Sequence, residues 1–488
     1  MARDQQKYFI LVLVGMMIIG LYTVGTLQPS SLLVGPNADV ANAAAEVYNM
    51  LNVSYLPLDR YEQVFGRKPP PTYKEFIKFA TEKQCGINLL LYMQIYRDLE
   101  PWFRVGKITP NDFPAIDEFF NLGIYENKTL SNKGGTAFNE ADPGHYSFLK
   151  PAVHILDPNK PFKYVVSWQD EPIALPTNRE IGETAEAYAD ISDAFNQNSC
   201  FRNAYGYSQS RTQQAVRNVH GALISPHTFT FVNKELAVFS QNKLKCFRDL
   251  IIPLRHHGWN GNDVVNNVDW ADKLNVLFWR GGSTGGSHYE HSSWRSFHRI
   301  RLLEWEYQWR SKNPEAVFDA GIEKSYLISP VPKSSIFHKQ ELLVDIGLNQ
   351  LFQIYSDKIQ EAIITRYGIK KHVNFDEFQH FKYLLVVDGN AWPARLQTFL
   401  KSNSLVLYTG IYRDYFNGLL EPWVHYVPVN PDLSDLLDKV KWAMANDDAA
   451  RKITENAQLL MKLLGSTAQM QCHTALMFLE YQQLYQDA

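Results

Sequence analysis

The sequence has only four cysteines in 488 residues and no Cys-x-x-Cys pair, which argues against a zinc knuckle or a dithiol redox site. It has no His-Glu-x-x-His and no Asp-x-Asp, so two common ways of holding a catalytic divalent metal are missing. Long runs of lysine or arginine are absent and the formal net charge is -3, so no basic stripe exists to track a nucleic-acid backbone. Internal repeats and low-complexity tracts are also lacking. With 45% hydrophobic and 20% charged residues, what remains is an ordinary globular chain, long enough for more than one domain.

One segment lacks charge altogether. From Tyr8 to Leu27 every residue is apolar or uncharged, and about 20 such residues in a helix span a bilayer core roughly 30 Å thick. Arg3 and Lys7 precede it and no basic residue follows until Arg60. The positive-inside tendency then leaves residues 1–7 cytosolic and sends the rest into a lumen. A cleaved signal peptide is the alternative, with the same destination. Residues 28–60 read as a stem. The sequons at Asn52 and Asn127 agree with a secretory route. The cysteines Cys85, Cys200, Cys246 and Cys472 allow three pairings there, and free thiols remain an alternative.

Beyond the stem, a helical region is expected near 73–98, after the extended run Arg67-Lys68-Pro69-Pro70-Pro71, and residues 100–150 read as loop. Apolar strands are then expected at Tyr164–Trp168, Phe229–Val232, Val276–Arg280, Tyr383–Val387 and Ser404–Tyr408. Helices are expected at 294–303, 393–402, 432–445, 448–463 and 466–485. Such alternation implies an α/β fold with a parallel sheet covered on both faces, and ligands gather beyond the C-terminal strand ends of such sheets.

Three junctions carry candidate chemistry. Trp279-Arg280-Gly281-Gly282-Ser283-Thr284-Gly285-Gly286 offers backbone amides, hydroxyls and a guanidinium to a phosphate, although a Gly-rich loop alone is a weak signal. Asp388-Gly389-Asn390-Ala391-Trp392-Pro393-Ala394-Arg395 places an arginine in the first turn of a helix. Asp170, in Gln169-Asp170-Glu171-Pro172 after a strand, is a candidate general base. His288, His291 and His298 match no metal-ligand spacing, so no metal is expected.

Taken together, these segments resemble the CAP10 family (glycosyltransferase family 90), from about Tyr61 to Leu484. The series Gln169-Asp170-Glu171-Pro172, Phe278-Trp279-Arg280-Gly281, Asp388-Gly389-Asn390 with Arg395, and Leu420-Glu421-Pro422-Trp423 to Val429 follows the family in order and spacing. The resemblance implies a GT-B-like fold of two Rossmann-like domains facing across a cleft, here 61–255 on the acceptor side and 256–488 on the donor side. It also implies inverting, metal-independent transfer from a UDP-sugar, with Asp170 as base and Arg280 and Arg395 on the diphosphate. Gly281, Ser283, Thr284, Arg299, Asp388, Gly389 and Asn390 complete the implied donor site, and no cofactor is required. Two departures stand out: Gly282 intrudes before Ser283-Thr284-Gly285, and Pro393 replaces a common serine. The expected protein is a Golgi or endoplasmic reticulum membrane transferase of the fungal β-xylosyltransferase type, moving xylose or glucose to a glycan or glycoprotein. A protein O-glucosyltransferase or O-xylosyltransferase is the alternative enzyme, and an inactive lectin or scaffold the alternative of another class.

Overall fold

The computed structural model describes residues 57–108, 120–133, 153–167, 169–174, 200, 216–227, 237–253, 264, 266–327 and 342–486. The apolar run 8–27, the stem, the sequon at Asn52 and the strand expected at Phe229–Val232 lie outside them. Among the described residues, no helix is long and apolar enough to cross a membrane.

The first sheet contains β1 (Phe120–Glu126), β2 (Thr129–Lys133), β3 (Phe162–Ser167), β4 (Val238–Ser240) and β5 (Leu250–Ile251), in the order β2-β1-β3-β4-β5. Strand β1 runs antiparallel to β2 and β3, while β3, β4 and β5 are parallel. The β1–β2 hairpin corrects the reading of 100–150 as loop. Its turn places Asn127 and Lys128 at φ 50° and 58°, the left-handed conformation that matches strand twist in a two-residue hairpin. The usual Asn-Gly cue is absent, so the turn was not legible.

The second sheet fits the expectation of a parallel, doubly covered sheet. It contains β6 (Leu274–Gly282), β7 (Leu343–Gln350), β8 (Phe381–Val387), β9 (Leu405–Thr409) and β10 (Val427–Pro428), in the order β10-β9-β8-β6-β7, every pair parallel. Side chains alternate between two cores. Val276, Phe278, Leu384, Val386 and Val406 face one, and Leu277, Trp279, Leu385, Val387 and Leu407 face the other. Strand β7 went unread because Asp345 and Gly347 break its apolar run.

The longer helices include α1 (Tyr73–Glu82) and α2 (Met93–Val105), then α3 (His298–Lys312), α4 (Asp357–Tyr367) and α5 (Arg395–Lys401). They end with α6 (Leu436–Ala445), α7 (Asp447–Leu464) and α8 (Thr467–Leu484). The last helix is buried on nearly every side and packs on the first sheet. Phe478 stacks on Phe239 at 4.7 Å, and the Tyr481 hydroxyl donates to the Lys163 carbonyl at 2.9 Å. A disulfide from Cys85 to Cys472 ties α8 to the segment after α1, and a second joins Cys200 to Cys246. These are one of the three pairings left open by the sequence.

Glu480, fully buried on α8, receives the Tyr61 hydroxyl at 3.0 Å and Arg67 at 3.5 Å. Burial pushes its pKa from 4.5 up to about 7, against the pull of Arg67. The folded protein thus holds a proton between pH 4.5 and 7 that the unfolded chain has released. The stability this adds is complete below pH 4.5 and is lost as pH rises through 7. Glu480→Gln, which mimics the neutral acid, is expected to abolish that slope, worth roughly 3 kcal/mol at about 1.4 kcal/mol per pH unit. Melting curves of both proteins from pH 4 to 8 check it: equal slopes would refute the assignment.

Candidate active site

A cavity of about 370 Å³ opens at the C-terminal ends of β6 and β8, bounded by Gly282, Thr284, Arg299, Gly389, Asn390 and Arg395 together with Asp170, Phe352 and Trp392. Residues far apart in sequence thus meet in one place, as expected for a parallel sheet.

Asp170 is exposed to the cavity, while its neighbour Glu171 is buried. That choice, open in the sequence, is made by how the loop after β3 is held. The Asn242 amide donates to the Asp170 carbonyl at 2.8 Å. The buried Asp249 carboxylate accepts the Ile173 and Ala174 N–H groups at 3.0 and 2.9 Å and the Ser240 hydroxyl at 2.6 Å. Burial raises the Asp249 pKa, and those donors oppose the shift. Asp249→Ala would orphan two buried amides at about 1–3 kcal/mol each. The expected result is a lower Tm in thermal melts, and an unchanged Tm would remove the bracing role.

The same cavity is lined by two guanidiniums. Arg299, second in α3, donates from Nε to the Asp388 carbonyl at 2.7 Å and from Nη1 to the Gly282 carbonyl at 2.8 Å and Thr284 Oγ1 at 2.7 Å. It thereby braces the ends of β6 and β8. Arg395, first in α5, donates to the Arg280 carbonyl. Burial lowers the pKa of Arg299 to about 9, with repulsion from Arg395 adding to it, and that of Arg395 to about 10. Both remain cationic at neutral pH. Neither forms an ion pair among the described residues. Glycines make room for them: a Cβ at Gly281 would lie 3.2 Å from Arg395 Nη2, and one at Gly389 would lie 3.0 Å from Arg299 Nη2.

Arg280 is placed differently from the sequence expectation. Its Nη2 donates to both oxygens of Asp345 at 2.8 Å, Lys370 shares that carboxylate, and the residue is 3% exposed. Strand alternation explains it: Arg280 points to the face opposite Trp279, where β7 supplies Asp345. The cationic wall is therefore Arg299 with Arg395, not Arg280 with Arg395.

Ser283 and Asp388 sit behind the cavity. The Ser283 hydroxyl donates to the Phe352 carbonyl at 2.7 Å and accepts the Phe352 N–H at 2.6 Å. Gly281–Gly285 also satisfies the Gly-x-Ser-x-Gly spacing of a nucleophile elbow, but this hydroxyl is spent on backbone. Asp388 accepts the Ile411 N–H at 2.7 Å and lies 3.3 Å from His220 Nε2. Asn390 links the walls: its Oδ1 accepts the Gly285 N–H at 2.9 Å and its Nδ2 lies 3.5 Å from Asp170 Oδ2.

The three histidines do not converge. His298 is buried between the Gly221 N–H and the Asp388 carbonyl and burial keeps it neutral, His288 meets the Gln353 carbonyl, and His291 is exposed beside Tyr289. Among the described residues, no group of three His, Cys, Asp or Glu side chains is placed to hold a metal ion. Phe352, Asn242 and Asp249 were not singled out from sequence, since none stands in a recognisable motif.

The class that fold and site define is an α/β protein with an anion-receptive cavity at the carboxyl edge of a parallel sheet, faced by one exposed carboxylate. Residues 293–487 match the family described as glycosyl transferase family 90, so the resemblance carried by the motifs holds over that stretch. The matched part includes Arg299, Asp388, Gly389, Asn390 and Arg395, while Asp170 and Thr284 precede it. The chain is 35% identical over 146 residues to protein O-glucosyltransferase 2 of Danio rerio, covering 29% of this chain and 28% of that protein. It is 37% identical over 132 residues to human protein O-glucosyltransferase 3, covering 27% and 25%. An uncharacterized protein, 035R, of Invertebrate iridescent virus 3 is 41% identical over 242 residues, covering 46% of this chain and 19% of that one. The chain thus spans about a quarter of the length of the two glucosyltransferases.

Proposed function

We propose that the protein transfers xylose or glucose from a UDP-sugar to an acceptor hydroxyl with inversion at the anomeric carbon. The observation that carries this reading is that exposed Asp170, Arg299 and Arg395 line one cavity. Asp170 takes the acceptor proton as the acceptor oxygen bonds to the anomeric carbon. On the opposite face the bond to the β-phosphate oxygen breaks, and its electron pair leaves with UDP. The guanidiniums neutralise the charge that develops there. Two cations fill the role a divalent metal plays elsewhere, so no metal is invoked.

The relatives' names favour a second reading of the acceptor, a protein hydroxyl receiving glucose. The apolar run 8–27 is read as a type II anchor that places the remainder in the Golgi or endoplasmic reticulum lumen, and two formed disulfides are in keeping with that compartment. Two five-stranded sheets, with the cavity drawing on loops that follow strands of both, support a GT-B-like arrangement.

The test is UDP release from UDP-xylose and UDP-glucose with glycan and protein acceptors, with and without EDTA. Turnover indifferent to EDTA is expected. No turnover with any combination would leave a lectin or scaffold.

A further inference from the structure

Large aromatic side chains in this chain are buried or half-buried, with three exceptions among the described residues. Tyr289, Phe352 and Tyr355 are 36%, 44% and 54% exposed, and all three stand on two adjoining loops. Those loops are stitched together: the His288 N–H donates to the Gln353 carbonyl at 2.8 Å, and the Tyr355 N–H returns to the His288 carbonyl at 3.1 Å. Phe352 borders the same cavity as Asp170. Tyr289 lies nearly parallel to Tyr355, with centroids 4.7 Å apart and planes at 14°, and to His291 at 5.2 Å and 8°. At the inner end the Tyr355 hydroxyl is 3.5 Å from His227 Nδ1. The field of Asp170 reaches that histidine, opposing the burial that lowers its pKa. Phe352 is the member of this aromatic group that borders the cavity lined by Asp170.

Exposing clustered aromatic surface is costly in water and marks a surface that binds something. The geometry selects the occupant. Tyr355 and His291 stack on Tyr289, so the ring surface left for a ligand is that of Tyr355 and Phe352. Such electron-rich faces suit the partly positive C–H face of a pyranose, while the sugar's equatorial hydroxyls stay hydrated. The phenol and imidazole groups supply hydrogen-bonding partners at the ring edges. A strand-adding peptide would instead need an open sheet edge. Glu290, exposed beside Tyr289, is balanced by Lys358 at 3.9 Å, so the patch offers an anionic glycan no net positive charge, and Asp170 repels one.

We propose that Tyr355 and Phe352, with Tyr289 stacked against Tyr355 as support, form an acceptor subsite for a neutral oligosaccharide, holding the sugar rings adjacent to the one whose hydroxyl meets Asp170. Its role as an acceptor site rests on the transferase reading above; its capacity to bind sugar does not. The experiment titrates the full chain with manno-, xylo-, cello- and laminarihexaose and, separately, with UDP, by calorimetry and saturation-transfer NMR. The comparison is wild type against Tyr355→Ala and Tyr355→Phe. At least one hexasaccharide is expected to bind, Tyr355→Ala to weaken it about 10-fold, and Tyr355→Phe to stay within about 2-fold, since the ring face carries the contact. UDP affinity should be equal in all three proteins. Tyr355 is more than half exposed, so both variants should fold, and melting curves check that. Failure of every hexasaccharide at millimolar concentration would overturn the subsite, as would binding indifferent to Tyr355→Ala. Tyr355-dependent sugar binding in a protein that does not bind UDP would sustain the subsite and sink the transferase reading.

Discussion

Asp170→Asn is expected to bind UDP as the wild type does while losing sugar transfer by at least about 100-fold, the lower range of a general-base contribution. The substitution keeps size and shape but removes the negative charge and with it the capacity to accept a proton. Its neighbours are insensitive to the change: the backbone carbonyl still receives Asn242, and Asp249 still pins the following amides. Glu171 offers no substitute, because it is buried at 1% exposure. Single-turnover transfer measured beside UDP titration separates the two effects. Near-normal transfer would mean that proton removal falls to another group, and the assignment of Asp170 would be withdrawn.

Arg395→Ala should weaken UDP binding and lower kcat/KM by roughly 10²–10³, the loss associated with removing one preorganised donor from developing charge. Arg299 is buried and Arg395 half-buried, neither makes a salt bridge among the described residues, and Arg395 adds to the lowering of the Arg299 pKa while Asp388 opposes it. An incoming diphosphate relieves both at once, which is why the cavity is receptive to an anion. Removing Arg395 also removes that repulsion, so the Tm should change little while affinity falls. Arg280→Met should behave in the opposite way. It leaves Asp345 buried with only Lys370 as a cationic partner, so the Tm should fall and UDP affinity should persist. Thermal melts and UDP titrations on the two variants distinguish them. Loss of UDP binding in Arg280→Met, with its fold intact, would restore the role read from the motif.

That reversal shows what kind of information local sequence contains. The strands at β6, β8 and β9 were legible because they are continuous apolar runs, which a parallel sheet buried on both faces demands. The closing helices were legible from their periodicity. Strand β7 was not, since Asp345 and Gly347 make sense only with Arg280 and Lys370 in place. The β1–β2 hairpin was hidden by a turn built from Asn127 and Lys128 without glycine. At the site, Arg280 stands in a phosphate-like motif yet faces the other side of its strand. Arg299, given a lesser place, occupies the wall.

By itself the sequence determined the parallel second sheet, the junctions at 281–286 and 388–395, and the candidacy of Asp170 and Arg395. These follow from hydrophobic period and loop chemistry, which are properties of neighbouring residues. Only the tertiary structure decided which cysteines pair, which arginine faces the cavity, which of Asp170 and Glu171 is exposed, and where the aromatic group lies. Those outcomes depend on groups far apart in the chain competing for the same space and the same hydrogen bonds, and no local pattern records who wins.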